Sequence, residues 1–153
     1  MGLLNPKHVV LLLIGLLPFS ARGGAVITGT LGADSRDHFK GALFAYNVGL
    51  FAKFDDQTLI GFQSGQGTLT GSQSIPVLGS AMIRLPIGRV VLPVATGDIG
   101  YAIDKRNSGF LWRAGGGFDI RNGRSSSFLL LGNYERQGSR FGWSGRLGIL
   151  LEF

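Results

Sequence analysis

The chain has 153 residues, the length of a single domain. Hydrophobic residues make up 44% of it and charged residues only 16%, below the roughly 25% of soluble domains, which disfavours an ordinary water-facing surface. It has no cysteine, which excludes disulfides and thiolate chemistry, and its net charge of +6 fits an anionic lipid surface better than nucleic acid.

The N-terminal segment has the three-part pattern of a secretory signal peptide. Lys7 and His8 form a short basic region, residues 9–17 form a continuous apolar run, and small residues follow Pro18. The apolar run is short for a transmembrane helix, which needs about 20 residues. The sequence therefore predicts a cleaved signal peptide over residues 1–24 and an exported domain over residues 25–153.

In the remainder of the chain, apolar residues alternate with small or polar residues, which is the period of a β-strand with two different faces. The alternation predicts eight strands of about ten residues each, as in a small transmembrane β-barrel. These strands cover residues 25–33, 39–53, 58–68, 76–85, 89–103, 110–121, 125–137 and 141–153.

Turn residues separate the predicted strands. Asn122 and Gly123 are predicted to form a two-residue hairpin turn, because both residue types tolerate positive φ. Residues 55–57 and 86–88 are further candidates for tight turns. Longer polar stretches alternate with these turns at residues 34–38, 68–74, 104–108 and 137–140. This plan is typical of an outer-membrane barrel with short periplasmic turns and longer outer loops, and an even strand count places both termini on the periplasmic side.

The two faces of the last strand distinguish a bilayer barrel from a soluble one. One face is apolar and aromatic, whereas the other is small or charged; the apolar face carries Phe141, Trp143, Leu147, Ile149, Leu151 and Phe153. A soluble barrel would turn its apolar face inward and cover the other with long polar side chains. The predicted fold class is therefore all-β: an eight-stranded antiparallel up-and-down transmembrane β-barrel. A soluble ligand-binding barrel is the competing fold.

Three features of the second half of the chain carry a family resemblance. They are the terminal aromatic Phe153, the segment Leu-Pro-Val-Ala-Thr-Gly-Asp-Ile-Gly-Tyr at residues 92–101, and the segment Phe-Leu-Trp-Arg-Ala-Gly-Gly-Gly-Phe-Asp-Ile-Arg at residues 110–121. The chain resembles the small OmpA/OmpX-like outer-membrane β-barrel proteins. This resemblance implies that the C-terminal strand, with Ile149, Leu151 and Phe153, is recognised by the barrel-assembly machinery.

Charged residues recur on the face assigned to the lumen. They are Arg84, Asp98, Arg113, Asp119, Arg121, Glu135, Arg146 and Glu152. Because buried charges must be paired, these residues are predicted to form an internal ion-pair network that fills a narrow barrel. The alternative interpretation is a gated ion path.

Basic residues also gather in the predicted outer loops. They are Arg36, His38, Lys40, Lys105, Arg106 and Arg140. Such a rim could bind the phosphates of lipopolysaccharide, since arginine forms bidentate contacts with phosphate. An ordinary solvated loop face is the equally simple alternative.

Catalytic signals are weak. His38 is the single histidine beyond the signal segment, and its neighbours Asp34, Ser35 and Asp37 lie in the same loop instead of converging from separate elements. The resemblance to lipid A deacylase barrels would require a histidine beside a serine on a late strand, where this chain has residues 125–127 but no histidine. Metal-ligand spacing and phosphate-binding glycine loops are also lacking, so no catalytic, metal or cofactor site is predicted.

These patterns predict a non-enzymatic outer-membrane protein with a structural or surface-interaction role and no cofactor. The expected partners are outer-membrane lipid, lipopolysaccharide and the barrel-assembly machinery, and not nucleic acid. A small gated channel is the main alternative, and a lipid-modifying enzyme acting through His38 is a further one.

Overall fold

The computed structural model describes residues 24–36, 42–66, 74–103 and 108–153. The predicted signal peptide lies outside these residues, except for Gly24. The strands are β1 (Ala25–Arg36), β2 (Ala42–Lys53), β3 (Thr58–Gln66), β4 (Ile75–Arg84), β5 (Val91–Ile103), β6 (Gly109–Arg121), β7 (Ser126–Gln137) and β8 (Arg140–Glu152). Within the described ranges, no helix has the length and apolar character needed to cross a membrane.

The eight strands form one closed antiparallel barrel in chain order. Each strand pairs with the next, and β8 returns to pair with β1, so that Val26 lies opposite both Phe51 and Glu152. Closure satisfies the backbone hydrogen bonds that an open sheet would leave at its edges. The prediction of an eight-stranded antiparallel up-and-down β-barrel is confirmed, and the predicted strand boundaries differ from the observed ones by at most three residues.

The barrel has two different ends. The terminal end contains Gly24, Phe153 and the connections at residues 54–57, 85–90 and 122–125. The opposite end, called the loop end below, contains the two-residue connection between β7 and β8 and three connections that lie largely outside the described residues. At the terminal end, the Asp55 carboxylate accepts hydrogen bonds from the backbone N–H groups of Gln57 at 2.7 Å and Thr58 at 2.6 Å, which closes the turn after β2.

The predicted turn at Asn122 and Gly123 is wrong in its type. The connection between β6 and β7 has four residues, closed by a bond from the Asn122 N–H to the Ser126 carbonyl, and Gly123 does not adopt positive φ. The two-residue turn is instead Gly138-Ser139, where Gly138 has a φ of 61° and Gln137 pairs with Arg140. Residues 137–140, predicted as a longer loop, therefore form the tightest described hairpin.

The outer surface of the strands is apolar. Side chains that point outward from mid-strand include Leu31, Val48, Ile60, Ile99, Leu130 and Leu147, each at least 45% exposed. Near the loop end, Tyr134 contacts Trp112 at 5.6 Å and Trp143 at 5.2 Å between ring centroids, forming an aromatic cluster across β6, β7 and β8. This surface has the polarity expected of a barrel that faces lipid, with aromatic residues toward its ends.

Candidate functional site: the lumen and its mouth

The loop half of the lumen contains a cluster of charged side chains. We call it the inner cluster: Asp34, Asp98, Arg113, Glu135 and Arg146, all at most 8% exposed. Strand register brings these residues together, because Arg113 lies opposite both Asp98 on β5 and Glu135 on β7. Their inward direction follows from the two-residue period of the strands.

One carboxylate oxygen connects the two arginines of the inner cluster. Glu135 Oε1 lies 3.0 Å from Arg146 Nη2 and 3.3 Å from Arg113 Nε. Arg146 Nη2 also lies 3.1 Å from Asp34 Oδ1. With its oxygen turned toward the guanidinium groups, the amide of Asn47 accepts a hydrogen bond from each of them. These contacts partly offset the large cost of burying charges.

Neutral polar groups extend this cluster toward the middle of the lumen. Gln63 Nε2 donates to Asp98 Oδ1 at 3.0 Å. Thr96 Oγ1 donates to Asn133 Oδ1 at 2.9 Å. The polar contacts therefore connect β3 to β5 and β5 to β7 across the lumen.

The terminal half of the lumen is filled by apolar side chains. We call these the apolar layer: Val26, Phe51, Leu59, Met82, Val94, Leu129, Leu131 and Leu150. Between this layer and the inner cluster lies a cavity of about 20 Å³, lined by Phe51 and Met82 on one side and by Asn47 and Asp98 on the other. A cavity of this size holds about one water molecule. At this level the lumen is filled by side chains, as expected for eight strands.

A second group of charges lies at the terminal mouth of the lumen. We call it the mouth cluster: Lys53, Arg84, Asp119 and Glu152. Arg84 lies 2.7 Å from both Asp119 and Glu152, and Lys53 lies 3.3 Å from Glu152. Arg84 and Asp119 are buried, whereas the side chains of Lys53 and Glu152 are 23% and 24% exposed. Lys53 also pairs with Asp56 in the following turn at 3.0 Å.

The structure divides the predicted lumen residues between these two clusters. Asp98, Arg113, Glu135 and Arg146 lie in the inner cluster, and Arg84, Asp119 and Glu152 lie in the mouth cluster. Arg121 departs from the prediction: it is exposed, because it is the last residue of β6 and reaches the rim of the mouth.

Sequence reasoning missed three interior features. Asp34 was predicted to lie in a loop, although its position continues the inward alternation of Thr28 and Thr30. Lys53 falls on the inward face of β2 but was left out of the charged set. The lumen was expected to contain small or charged residues, whereas the apolar layer, including Phe51 and Leu129, fills half of it. For both Asp34 and Lys53, the alternation of inward and outward positions along the strand would have placed the side chain in the lumen.

The structure describes one side chain of the predicted basic rim, that of Arg140. His38, Lys40, Lys105 and Arg106 lie outside the described residues, and the side chain of Arg36 does as well. Arg140 is exposed at the first position of β8, at the loop end.

The C-terminal residues alternate outward on β8. Ile149, Leu151 and Phe153 are all exposed on the outer surface, at 49%, 37% and 72%. The Phe153 N–H donates to the Ala25 carbonyl at 2.8 Å, so the last residue joins the beginning of β1.

The described residues contain no group of acidic, histidine or cysteine side chains that could hold a metal ion. His38, the candidate general base, lies outside them. The serines at residues 125–127 lie at the terminal end, where Ser127 is buried and its hydroxyl has no hydrogen-bond partner among the described groups.

No family model matches the chain, and no curated protein does so. Solved structures do resemble it. The N-terminal β-barrel domain of Pseudomonas aeruginosa OprF has a TM-score of 0.63 at 11% identity, covering 86% of this chain and all of that one. Neisserial surface protein A has a TM-score of 0.67 at 9% identity, covering 85% and 97%. The outer-membrane enzyme PagL has a TM-score of 0.52 at 15% identity, covering 84% and 99%.

Identities this low establish the fold and not the activity. Proteins of different function share this architecture, since one of the three is an enzyme. The predicted resemblance is thus confirmed at the level of the fold, and the chain has the eight-stranded β-barrel fold of small OmpA-like outer-membrane proteins.

Proposed function

We propose that this protein is an integral barrel of the bacterial outer membrane with a structural or surface-interaction role. The observation that carries the proposal is the reversed polarity of the barrel. Its charges lie inside, in the inner cluster, while Leu31, Val48 and Leu147 lie outside. A soluble barrel has the opposite arrangement.

The distribution of residues over the outer surface supports insertion into lipid more strongly than the mean composition of the whole chain does. Among the described outward-facing strand positions, Arg136 at the loop end is the only charged residue. An exposed apolar surface that encircles a protein far exceeds the patches found on soluble monomers. A bilayer removes the free-energy cost of exposing this surface to water, because the apolar side chains then contact acyl chains.

The interior supports a structural role over conduction. Ions crossing the barrel would have to pass the apolar layer, which includes Phe51 and Leu59, and the paired charges of the inner cluster. Dewetted apolar constrictions close pores. We therefore propose that the resting barrel does not conduct.

We also propose that the protein acts without catalysis. His38 is the one histidine beyond the signal segment, and the serine and carboxylates beside it in the sequence are Ser35, Asp34 and Asp37. The structure pairs Asp34 with Arg146 in the lumen. The likeness to PagL is one of fold and transfers no active-site residue. Lipid, lipopolysaccharide and the barrel-assembly machinery remain the proposed partners, the last through Ile149, Leu151 and Phe153.

An outward-facing substitution tests the membrane proposal directly. Leu147 is 64% exposed near the middle of β8, so Leu147→Arg would be harmless in water. In a bilayer it should cost about 2–4 kcal/mol, because the charge sits in lipid. Leu147→Ala is the matched control, since it removes the side chain without adding charge. Folding would be measured by urea titration in lipid vesicles and by the mobility shift on boiling.

If Leu147→Arg is as stable as Leu147→Ala and the protein fractionates as a soluble species, the membrane proposal is wrong. Planar-bilayer recordings test the proposal that the barrel does not conduct, since steady single-channel conductance by the unmodified protein would favour the gated-channel alternative. Mass spectrometry of lipid A tests the proposal that the protein acts without catalysis. A change in lipid A that His38→Ala abolishes would favour the enzyme alternative.

A further inference from the structure

A pocket at the terminal mouth of the barrel has the chemistry of an anion site. Its volume is about 340 Å³, within the range of small-molecule pockets, and it opens beside the hairpin that joins β6 to β7. Arg121, Arg124 and Ser127 line it from this hairpin. Arg121 and Ser127 are direct cross-strand partners, so their side chains start next to each other on the same face.

The two arginines of this pocket are available for a ligand. In the part of the chain that the structure describes, neither Arg121 nor Arg124 forms an ion pair with a carboxylate. The carboxylates that share the pocket, Asp56 and Glu152, already have cationic partners: Lys53 pairs with both, and Arg84 pairs with Glu152. The free donor capacity of the pocket therefore belongs to Arg121 and Arg124.

A buried hydroxyl provides an independent indication. Ser127 is 4% exposed, lines the pocket, and its Oγ has no hydrogen-bond partner among the described groups. Buried polar groups in native proteins nearly always have a partner, so this hydroxyl, in the same pocket lining as Arg121 and Arg124, is a donor that an acceptor on a ligand could satisfy. A phosphate has several acceptor oxygens and binds arginine in bidentate geometry.

We propose that the terminal mouth binds a phosphate group through Arg121, Arg124 and Ser127. The group belongs either to a lipid headgroup of the surrounding leaflet or to a free phosphate-bearing small molecule, since both present the same oxygens. Binding of the free group requires only the folded barrel, so it can succeed or fail independently of the proposed membrane role.

The test uses the protein folded in maltoside micelles, which contain no phosphate, at physiological ionic strength to screen weak surface attraction. One arm titrates inorganic phosphate and the other adds phosphatidylglycerol, with the amide NMR signals of Gly123 and Ser127 as readout. Saturation in the first arm identifies a free phosphate source, and saturation in the second arm alone identifies a lipid headgroup. Either result supports the site.

The variants decide whether the pocket itself binds. Arg121→Gln and Arg124→Gln should each weaken binding about tenfold or more, because each removes a hydrogen bond to a charged group. Ser127→Ala should weaken it several-fold without changing the charge. Arg89→Gln is the matched control, since Arg89 is exposed on another turn at the same end and does not line the pocket.

Three results would overturn the proposal. The first is no saturable binding in either arm. The second is an equal loss of binding in Arg89→Gln and Arg121→Gln, which would mean diffuse attraction to a basic surface. The third is unchanged binding in Ser127→Ala, because a ligand in this pocket must use the orphaned hydroxyl.

Discussion

The inner cluster and the mouth cluster contain the same chemistry at different depths. In the inner cluster, Glu135 is 1% exposed and one of its oxygens serves both Arg113 and Arg146. In the mouth cluster, Glu152 is 24% exposed, and its partners Arg84 and Lys53 each have a second carboxylate. A buried charge that loses its partner cannot turn to water, whereas the partly exposed Lys53 and Glu152 at the mouth can. The burial of each charged residue, and not its number of ion pairs, should therefore decide how much its substitution lowers the free energy of unfolding.

The largest expected effect comes from the inner cluster. Glu135→Gln should lower the free energy of unfolding by about 3–5 kcal/mol, because it removes the ion-pair partner of the buried Arg113 and leaves Arg146 with Asp34 alone. Urea unfolding in lipid vesicles measures this change. Combining it with Arg146→Met should cost less than the sum of the two single changes. Strict additivity would show that the ion pair is not the cause.

A substitution in the apolar layer that separates the two clusters should lower the free energy of unfolding by a comparable amount, through lost packing and not through lost charge. Phe51→Ala removes a ring that is 2% exposed and should cost about 3–5 kcal/mol by creating a cavity. Phe44→Ala is the control, because that ring is 66% exposed on the outer surface of the same strand. Equal losses for the two rings would mean that the layer is not a packed core.

A smaller effect is expected at the mouth. Glu152→Gln should change the free energy of unfolding by about 1 kcal/mol or less, because Arg84 keeps Asp119 and Lys53 keeps Asp56. The measurement is the same urea titration, repeated at high salt, where the difference from the unmodified protein should shrink. A loss as large as that of Glu135→Gln would erase the distinction between the clusters.

The smallest effect lies beyond the mouth, at Asp55 in the turn after β2. Hydrogen bonds from the Gln57 and Thr58 backbone N–H groups hold the pKa of this exposed carboxyl below its ordinary value of 3.8. Its contribution to stability is therefore present above that value and disappears as the pH falls through the lowered pKa of the folded state. Asp55→Asn should remove this acid-dependent part of the stability curve.

Asp56→Asn is the neighbouring control for that measurement, because the carboxylate of Asp56 pairs with Lys53 and not with the turn backbone. If both variants change the acid limb of the stability curve equally, the backbone hydrogen bonds of Asp55 are not responsible.

The outer face of the barrel was predictable from the sequence, and the inner face only in part. Outward positions all meet the same environment, so their alternation alone indicates Leu147 or Val48 as surface residues. Inward positions meet partners from other strands, which a single sequence does not align. The charges Arg113 and Glu135 were therefore placed in the lumen without their pairing, and Phe51 was not recognised as part of an apolar layer.

The turns show the same limit. The pair Asn122-Gly123 has a favourable composition for positive φ, but the register pairs Arg121 with Ser127 and leaves five residues between them. The register between β7 and β8 leaves two, and there Gly138 adopts positive φ. Strand register decides the turn, and register is a property of the whole barrel.

The pairing of β1 with β8 makes the barrel a cycle, in which Ala25 and Phe153 are hydrogen-bonded neighbours. In a cycle no strand is first or last once folding is complete. The order of the strands matters only while the chain closes, because the contact between Val26 and Glu152 joins the most distant described strands in the sequence. Contacts of such high contact order form late and slowly. A circular permutant that links these ends and opens at Gly138-Ser139 should therefore keep the native barrel while exchanging its slowest contact for another.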